Sequence, residues 1–343
     1  MVIEAGAGIG AGFKDIDFSE SGAMISPDPK QVFEADIMLM VSPPSLENVA
    51  LMKHAQTLIS PIHLPTLKEE YIRQLMTKKV TALAFEYIRD ESNNFPFVRA
   101  MSEIAGISVI NIASQLMSNL DSGRGVLMGG ITGVPPAKVI VLGAGVVGEH
   151  AAKAAMGLGA SIKVFDNSLH KLIRLQNNIG HKIFTSVIDP MVLAHELKMA
   201  DVVIGAIHSE SGRAPVIVSE EMVENMKEGA VIIDVSVDQG GCFATSEVTS
   251  HQNPTFVKHG VVHYGVPNIA SRVSRTASYA ISNILTATIL QGAHTGGIDM
   301  LIKNSAGARN GVYIYNGVLT NRHLGERFGI KHTELDLLIT SSL

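Results

Sequence analysis

Three groups of residues in this 343-residue chain have the types and spacing to do chemistry. The first is Gly143-Ala144-Gly145-Val146-Val147-Gly148, a match to G-x-G-x-x-G, with Asp166 about twenty residues further on. In this pattern Gly143 permits a tight turn, Gly145 lets backbone approach a pyrophosphate, and Gly148 lets helix and strand pack closely. Val146 and Val147 then open a helix whose free N–H groups and partial positive charge suit phosphates. Asp166 can accept hydrogen bonds from a ribose diol and would repel a 2′-phosphate, while Lys171 nearby softens that discrimination. The second group is His63 in Pro61-Ile62-His63, and the third is Asp238 in Ser236-Val237-Asp238-Gln239-Gly240-Gly241-Cys242. An imidazole and a carboxylate suit general acid–base work. Each also has a plain reading. One histidine among 13 is ordinarily structural or at the surface. An aspartate before Gln-Gly-Gly also shapes a turn.

The elements around these residues say how they are positioned. The run 139–142 has no polar alternation, which suits a strand buried on both faces of a parallel sheet. Small apolar residues follow the glycines at helical spacing, and a second strand, 162–165, ends at Asp166. Strand, glycine turn, helix, strand and acid make a dinucleotide-binding unit. Candidate strands at 182–186, 202–206, 231–235 and 261–264 complete the six of a doubly wound domain. Earlier in the chain, candidate strands 37–41, 57–60 and 81–85 alternate with helices near 45–53 and 66–77. The second of these helices opens on a Thr66-x-x-Glu69 capping box after Pro65. A long helix over 101–120 bridges two domains, and the glycine- and proline-rich segment 121–138 reads as a loop. Another helix covers 276–290, and the tail 293–343 is expected to fold back onto the first domain. The expected fold is α/β, two doubly wound Rossmann-like domains with a cleft between them. Residues 1–98 plus 280–343 form the substrate domain, and 99–279 the nucleotide domain with bridging helices. Ligands of open parallel sheets bind beyond the carboxyl ends of the strands. That rule singles out Ser42, His63, Glu86, Tyr87, Asp238 and the Asn268 of Gly265-Val266-Pro267-Asn268.

Composition bounds the remaining choices. A hydrophobic content of 46% with 17% charged residues indicates a globular chain with a large core. The net charge of -5, without a basic run, excludes an electrostatic footprint for nucleic acid. A single cysteine, Cys242, excludes an intrachain disulfide and fits a reducing compartment. The N-terminus lacks the basic start and apolar core of a signal peptide. No apolar run reaches the roughly 18 residues of a membrane span. These features predict a soluble, cytoplasmic protein with no membrane partner. Cys242 reads as a small buried residue, and His208 and His263 as structural. No cluster has metal-ligand spacing, so no metal is expected.

Six stretches carry a family resemblance: GAGIGAGFKDIDFSESGA (6–23), MSEIAG (101–106), GRGVLMGG (123–130), GVPPAKVIVLGAGVVG (133–148), DVSVDQGGCF (234–243) and NPTF (253–256). With them the chain resembles, over essentially its whole length, the alanine dehydrogenases. These share a fold with the nucleotide-binding component of proton-pumping transhydrogenase, and the DQGGCF stretch favours the dehydrogenase. The resemblance implies a reaction of L-alanine, NAD and water to pyruvate, ammonium and NADH, in a homo-oligomer, a hexamer. It implies that His63 of PIHL is the substrate-binding acid–base histidine and that Asp238 is the catalytic aspartate. Asp166 becomes the adenosine-ribose acid and Asn268 part of the nicotinamide segment. NAD is then expected on Gly143, Gly145, Val146, Val147, Gly148 and Asp166, with Lys171, Val237, Asp238 and Asn268.

The chain also departs from the family pattern. Family members carry a strand and helix with a substrate-binding arginine ahead of the position of Met1. They also have a lysine in a K-V-K-E-P stretch where this chain reads Met40-Val41-Ser42-Pro43-Pro44. Ser42 remains as a neutral donor to a substrate carboxylate. Arg272 and Arg275, on the cofactor side by strand count, are the arginines that could substitute. Two lost charge-assisted bonds cost about 3–6 kcal/mol, or roughly two to four powers of ten in kcat/KM. The expectation is therefore NAD binding with poor alanine turnover. The alternatives are a degenerate NAD-binding paralogue and another amino-acid dehydrogenase on the same scaffold.

Overall fold

A computed structural model of the chain describes all residues except 65–66, 120–121, 209–211 and 342–343. The strands in chain order are β1 (Val2–Glu4), β2 (Met24–Ser26), β3 (Ile37–Leu39), β4 (Thr57–Ser60), β5 (Thr81–Ala84), β6 (Lys138–Leu142) and β7 (Ser161–Phe165). They continue with β8 (Phe184–Ser186), β9 (Val202–Gly205), β10 (Val231–Asp234), β11 (Thr255–Lys258), β12 (Val261–Tyr264), β13 (Val312–Tyr315) and β14 (Val318–Leu319). The chain divides into two compact units, Met1–Ala100 with Ser274–Leu343, and Met101–Val273.

The second unit is built on a sheet ordered β11-β12-β10-β9-β6-β7-β8. All neighbours are parallel except β11 and β12. The chain runs outward from β6 in one direction and returns to β9 on its other side. The topological switch, where such sheets bind ligands, therefore lies between β6 and β9. Alternate side chains face opposite ways. Val139, Val141, Val202 and Ile204 enter one core, and Ile140, Leu142, Val203 and Ile232 enter the other.

The helix Pro96–Leu116 adds Val109, Ile110, Ala113 and Leu116 to the first of these cores. By length and hydropathy alone it is long and apolar enough to cross a membrane. Its core contacts give the apolar positions another use. It starts earlier than the sequence suggests because Pro96 suits the first helical turn, where no N–H partner is needed.

Two departures have local causes. The strand expected at 182–186, β8, begins at Phe184, because Gln176 engages both backbone groups of Ile183, its Nε2 donating to the carbonyl at 2.8 Å and its Oε1 accepting from the amide at 3.3 Å. A seventh strand, β11, pairs with β12 across His259 and Gly260, whose φ angles of 53° and 73° make a two-residue hairpin.

The first unit has its own sheet, β14-β13-β5-β4-β3, with β3, β4 and β5 parallel and β13 antiparallel on β5. Leu58 and Ala82 face one core of this unit, Ile59 and Leu83 the other. β1 and β2 form a separate parallel pair. β3 stops at Leu39, before Pro43 and Pro44 remove two ladder donors. Ser45 caps the helix Leu46–Leu51, its Oγ accepting from Asn48 N at 3.2 Å. The helix expected at 66–77 is described from Glu69 to Thr77, and Pro65 and Thr66 of its capping box lie outside the described residues. Arg275 does not stand on the nucleotide side. It donates to Gly12 O at 2.7 Å and lies over the Phe13 ring, within the first unit. Arg272 lies over the Tyr264 ring of the second.

Gly148 sits where helix Val146–Gly157 leaves the glycine turn. A Cβ there would fall 1.9 Å from Gly143 O and 3.2 Å from Val141 Cγ1. Backbone cannot swing aside as a side chain can. Gly148→Ala is expected to cost about 1–3 kcal/mol, read as a lower urea midpoint. An unchanged midpoint would show that the turn has slack.

Candidate functional site

In the second unit, four neighbouring strands end in polar turns. β6 leads to the glycine turn. Gly143 has φ 107°, and its N–H bonds Phe165 O at 2.7 Å. Asp166, at the end of β7, is buried, and both of its oxygens are engaged. Oδ2 accepts from Ala144 N and Oδ1 from Ser168 N, each at 2.7 Å. Arg174 donates to Ala144 O at 3.0 Å. Asp166 thus ties the glycine turn down, beyond the ribose role read from sequence, and each oxygen keeps a lone pair for a diol.

Gly145 is the N-cap of the helix Val146–Gly157, with no side-chain cap, and open space lies where its Cβ would be. That leaves helix N–H groups facing room for a phosphate, so the turn fits a dinucleotide. Val146 and Val147 form the half-buried first turn, and Lys171 is exposed on the first turn of Leu169–Ile179.

β10 leads to the Asp238 turn, which hangs on Asp234. That carboxylate is buried. Oδ1 accepts from Ser236 N and Oδ2 from Cys242 N, each at 2.9 Å, and Ser246 Oγ also donates to Oδ2. Burial raises the Asp234 carboxyl above the ordinary aspartate range, against these hydrogen bonds. The tied segment carries buried Val237 and presents Asp238 at the surface of the turn. Protein crowding around Asp238 strips water and raises its carboxyl. Its own amide, the Gln239 amide and the His208 charge pull the other way. His208 stands beyond the end of β9, exposed. Cys242 is buried, and burial pushes its thiol well up, so it is no nucleophile. His263 is structural, bonded to Thr245 Oγ1 at 2.8 Å and Val261 O at 2.9 Å.

β12 leads to Asn268, exposed, in the left-handed region at φ 53°. Its carbonyl accepts from Ser271 Oγ at 2.8 Å, and that hydroxyl lies 2.9 Å from His251 Nε2. The glycine turn, His208, Asp238 and Asn268 thus stand at the carboxyl ends of β6, β9, β10 and β12, consecutive in the sheet.

In the first unit, Ser42, His63 and Glu86 stand beyond the carboxyl ends of β3, β4 and β5. Ser42 and His63 are exposed and Glu86 is half-buried. His63 has φ 48°. Glu86 Oε1 accepts from Ile62 N at 2.7 Å. Met40, at the other candidate position for a cation, packs on this unit's core.

Sequence reading misses the ties made by Asp234 and Glu86. A signal for Asp234 exists, since a carboxylate closing the apolar run Val231-Ile232-Ile233 must find donors. Among the described residues, Glu220, Glu224 and His259 converge as cation ligands would. They are exposed, and Lys258 Nζ already sits 3.0 Å from Glu220.

Comparison with known proteins agrees with this geometry. The N-terminal domain of the alanine dehydrogenase/PNT family matches residues 1–105, and its C-terminal domain matches residues 109–322. Alanine dehydrogenase of Bacillus subtilis is 37% identical over 333 residues, 97% of this chain and 87% of that protein. The alanine dehydrogenase of Methanococcus maripaludis is 36% identical over 97% of this chain and 89% of its own length. Among solved structures, an L-alanine dehydrogenase superposes with a TM-score of 0.90 at 35% identity, covering 96% of this chain and 90% of that one. A transhydrogenase from Sinorhizobium meliloti shares the fold, with a TM-score of 0.78 at 24% identity over 94% of this chain and 90% of that one. On residues, fold and strand-end geometry together, this chain belongs to the alanine dehydrogenase/PNT family.

Proposed function

We propose that the chain is an NAD-dependent alanine dehydrogenase, converting L-alanine, NAD and water to pyruvate, ammonium, NADH and a proton. The observation that carries this reading is the row of strand ends in the second unit. It sets open space at Gly145, an acid at Asp166, a carboxylate at Asp238 and an amide at Asn268 at the carboxyl end of one sheet. The names of the relatives supply the substrate. A bound nicotinamide supplies the hydride acceptor. The chain's residues hold the partners in line and move protons. Asp238, with its carboxyl raised, is suited to take a proton from the substrate side and return it. His63 is the second proton-handling group, and Ser42 a neutral donor to the substrate carboxylate. Lys171, Val146, Val147 and Val237 complete the cofactor surface. The working state in this reading is a cytoplasmic homo-oligomer, a hexamer.

One observation favours a second reading, an NAD binder with little alanine turnover. The stretch Met40-Val41-Ser42-Pro43-Pro44 offers no cation to a buried carboxylate, which is costly to leave without charged donors. Alanine-dependent formation of reduced nicotinamide separates the two. Robust turnover selects the dehydrogenase; cofactor binding with no turnover on alanine selects the second reading.

Asp166 should make NAD bind more tightly than NADP in a fluorescence titration, and Asp166→Asn should narrow the gap. Equal affinities in the wild-type chain would remove the ribose role. Asp238→Asn is expected to lower turnover by about a hundredfold or more with NAD affinity nearly unchanged. A near-normal rate would leave Asp238 a turn-former.

A further inference from the structure

We propose that Arg174 is a positioning residue for the cofactor, holding the Ala144–Gly145 peptide in the orientation that offers the Gly145 N–H to a pyrophosphate. The proposal deepens the functional reading above and rests on it in taking the glycine turn as the pyrophosphate site.

Ala144 is buried, and side chains from outside the turn claim both of its backbone polar groups. Its N–H donates to Asp166 Oδ2 at 2.7 Å, which fixes the Gly143–Ala144 peptide. Its carbonyl accepts from Arg174 Nη2 at 3.0 Å, which fixes the Ala144–Gly145 peptide. A trans peptide is planar, with its C=O and N–H on opposite sides. By holding the carbonyl, Arg174 therefore turns the Gly145 N–H away from itself. That N–H leads directly into the first-turn amides of the helix Val146–Gly157, the groups that suit a phosphate.

The peptide needs such a hold because of the glycine that follows it. Gly145 has φ -72° and ψ -168°, and open space lies where its Cβ would be. Flipping the Ala144–Gly145 peptide changes only ψ of Ala144 and φ of Gly145, carrying the latter to positive values. A side chain would resist that flip, and glycine does not. The residue that lets a pyrophosphate come close thus also lets its own N–H swing the wrong way. The Arg174 bond opposes that swing.

Arg174 is itself aimed. It lies on the second turn of the helix Leu169–Ile179, and its Nε stands 4.0 Å from Glu149 Oε2, on the first turn of Val146–Gly157. Glu149 is buried. Asn178 Nδ2 donates to both of its oxygens, at 3.1 and 3.0 Å, and Lys153 Nζ to Oε1 at 2.7 Å. The guanidinium thus has a fixed carboxylate on one side and the turn carbonyl on the other. Its planar fork suits that two-sided hold, which a point charge meets less well.

The test uses the full chain with Arg174→Met, which keeps the stem and removes the donors, and Arg174→Lys, which keeps a cationic donor. Calorimetry reads binding of NAD, of ADP and of adenosine, which lacks phosphates. Arg174→Met should weaken NAD and ADP by about tenfold, the scale of one charge-assisted hydrogen bond, and leave adenosine nearly unchanged. Arg174→Lys should recover part of the loss. Equal losses for all three ligands, or no loss for any, overturn the proposal. Hydrogen exchange by mass spectrometry on the ligand-free chain separates a positioning role from a direct phosphate contact. Amides of 143–148 should exchange faster in Arg174→Met, with the rest of the second unit unchanged. Unchanged exchange at 143–148 overturns the proposal even where NAD affinity falls. A wild-type chain that binds neither NAD nor ADP refutes the nucleotide reading, and faster exchange at 143–148 in Arg174→Met then still upholds the hold on the turn.

Discussion

Backbone amides at the carboxyl ends of parallel strands need acceptors once the ladder stops, and this chain supplies them with buried or half-buried carboxylates. Asp166 takes the amides of Ala144 and Ser168. Asp234 takes those of Ser236 and Cys242. Glu86 takes that of Ile62. Each tie lies beside a part of the proposed site: the glycine turn, Asp238 and His63. An unsatisfied buried amide costs about 1–3 kcal/mol, so these turns have little freedom to adopt other shapes. Strand ends become fixed platforms because an acid is placed beneath each of them.

The ties carry a pH signature of their own. The Asp234 and Glu86 carboxyls sit above their ordinary ranges, burial being the larger cause in both. A raised value in the folded state means that the protonated form is favoured by folding. That contribution is complete below the ordinary carboxyl range and is lost as pH rises through the raised value. Above that raised value the fold holds charge it would prefer to neutralise, and the hydrogen bonds to amides and to Ser246 offset part of that cost. Such stored electrostatic tension is common at sites that move protons.

The parts of the fold legible in the sequence are those fixed by local pattern. The apolar runs of β6, β9 and β10 read as strands because both faces are buried, and the glycine fingerprint reads as a turn because its steric needs are local. β11 escapes notice because Thr255-Phe256-Val257-Lys258 is short and only half-buried, although His259-Gly260 is a hairpin signal. Phe184 starts its strand late because the side chain of Gln176, seven residues before Ile183, claims that residue's backbone, a contact that no run of residue types announces. The candidate site divides the same way. His63, Asp238 and Asn268 can be placed at strand ends by counting. The partners that hold them cannot, because the link from Glu86 to Ile62 spans 24 residues and that from Asp166 to Ala144 spans 22.

The double engagement of Asp166 bears on how such a chain could change over time. Under the proposed function, accepting a phosphorylated ribose would require the loss of this acid, yet the same acid anchors the glycine turn. The two traits are welded to one side chain, so selection for a new cofactor meets a loss of rigidity at its first step. A gradual route would begin elsewhere, by building a replacement acceptor for Ala144 N. Arg174, already bonded to the Ala144 carbonyl, marks the side from which that support could grow. In the proposed reading, cofactor choice and the rigidity of the glycine turn thus rest on one side chain.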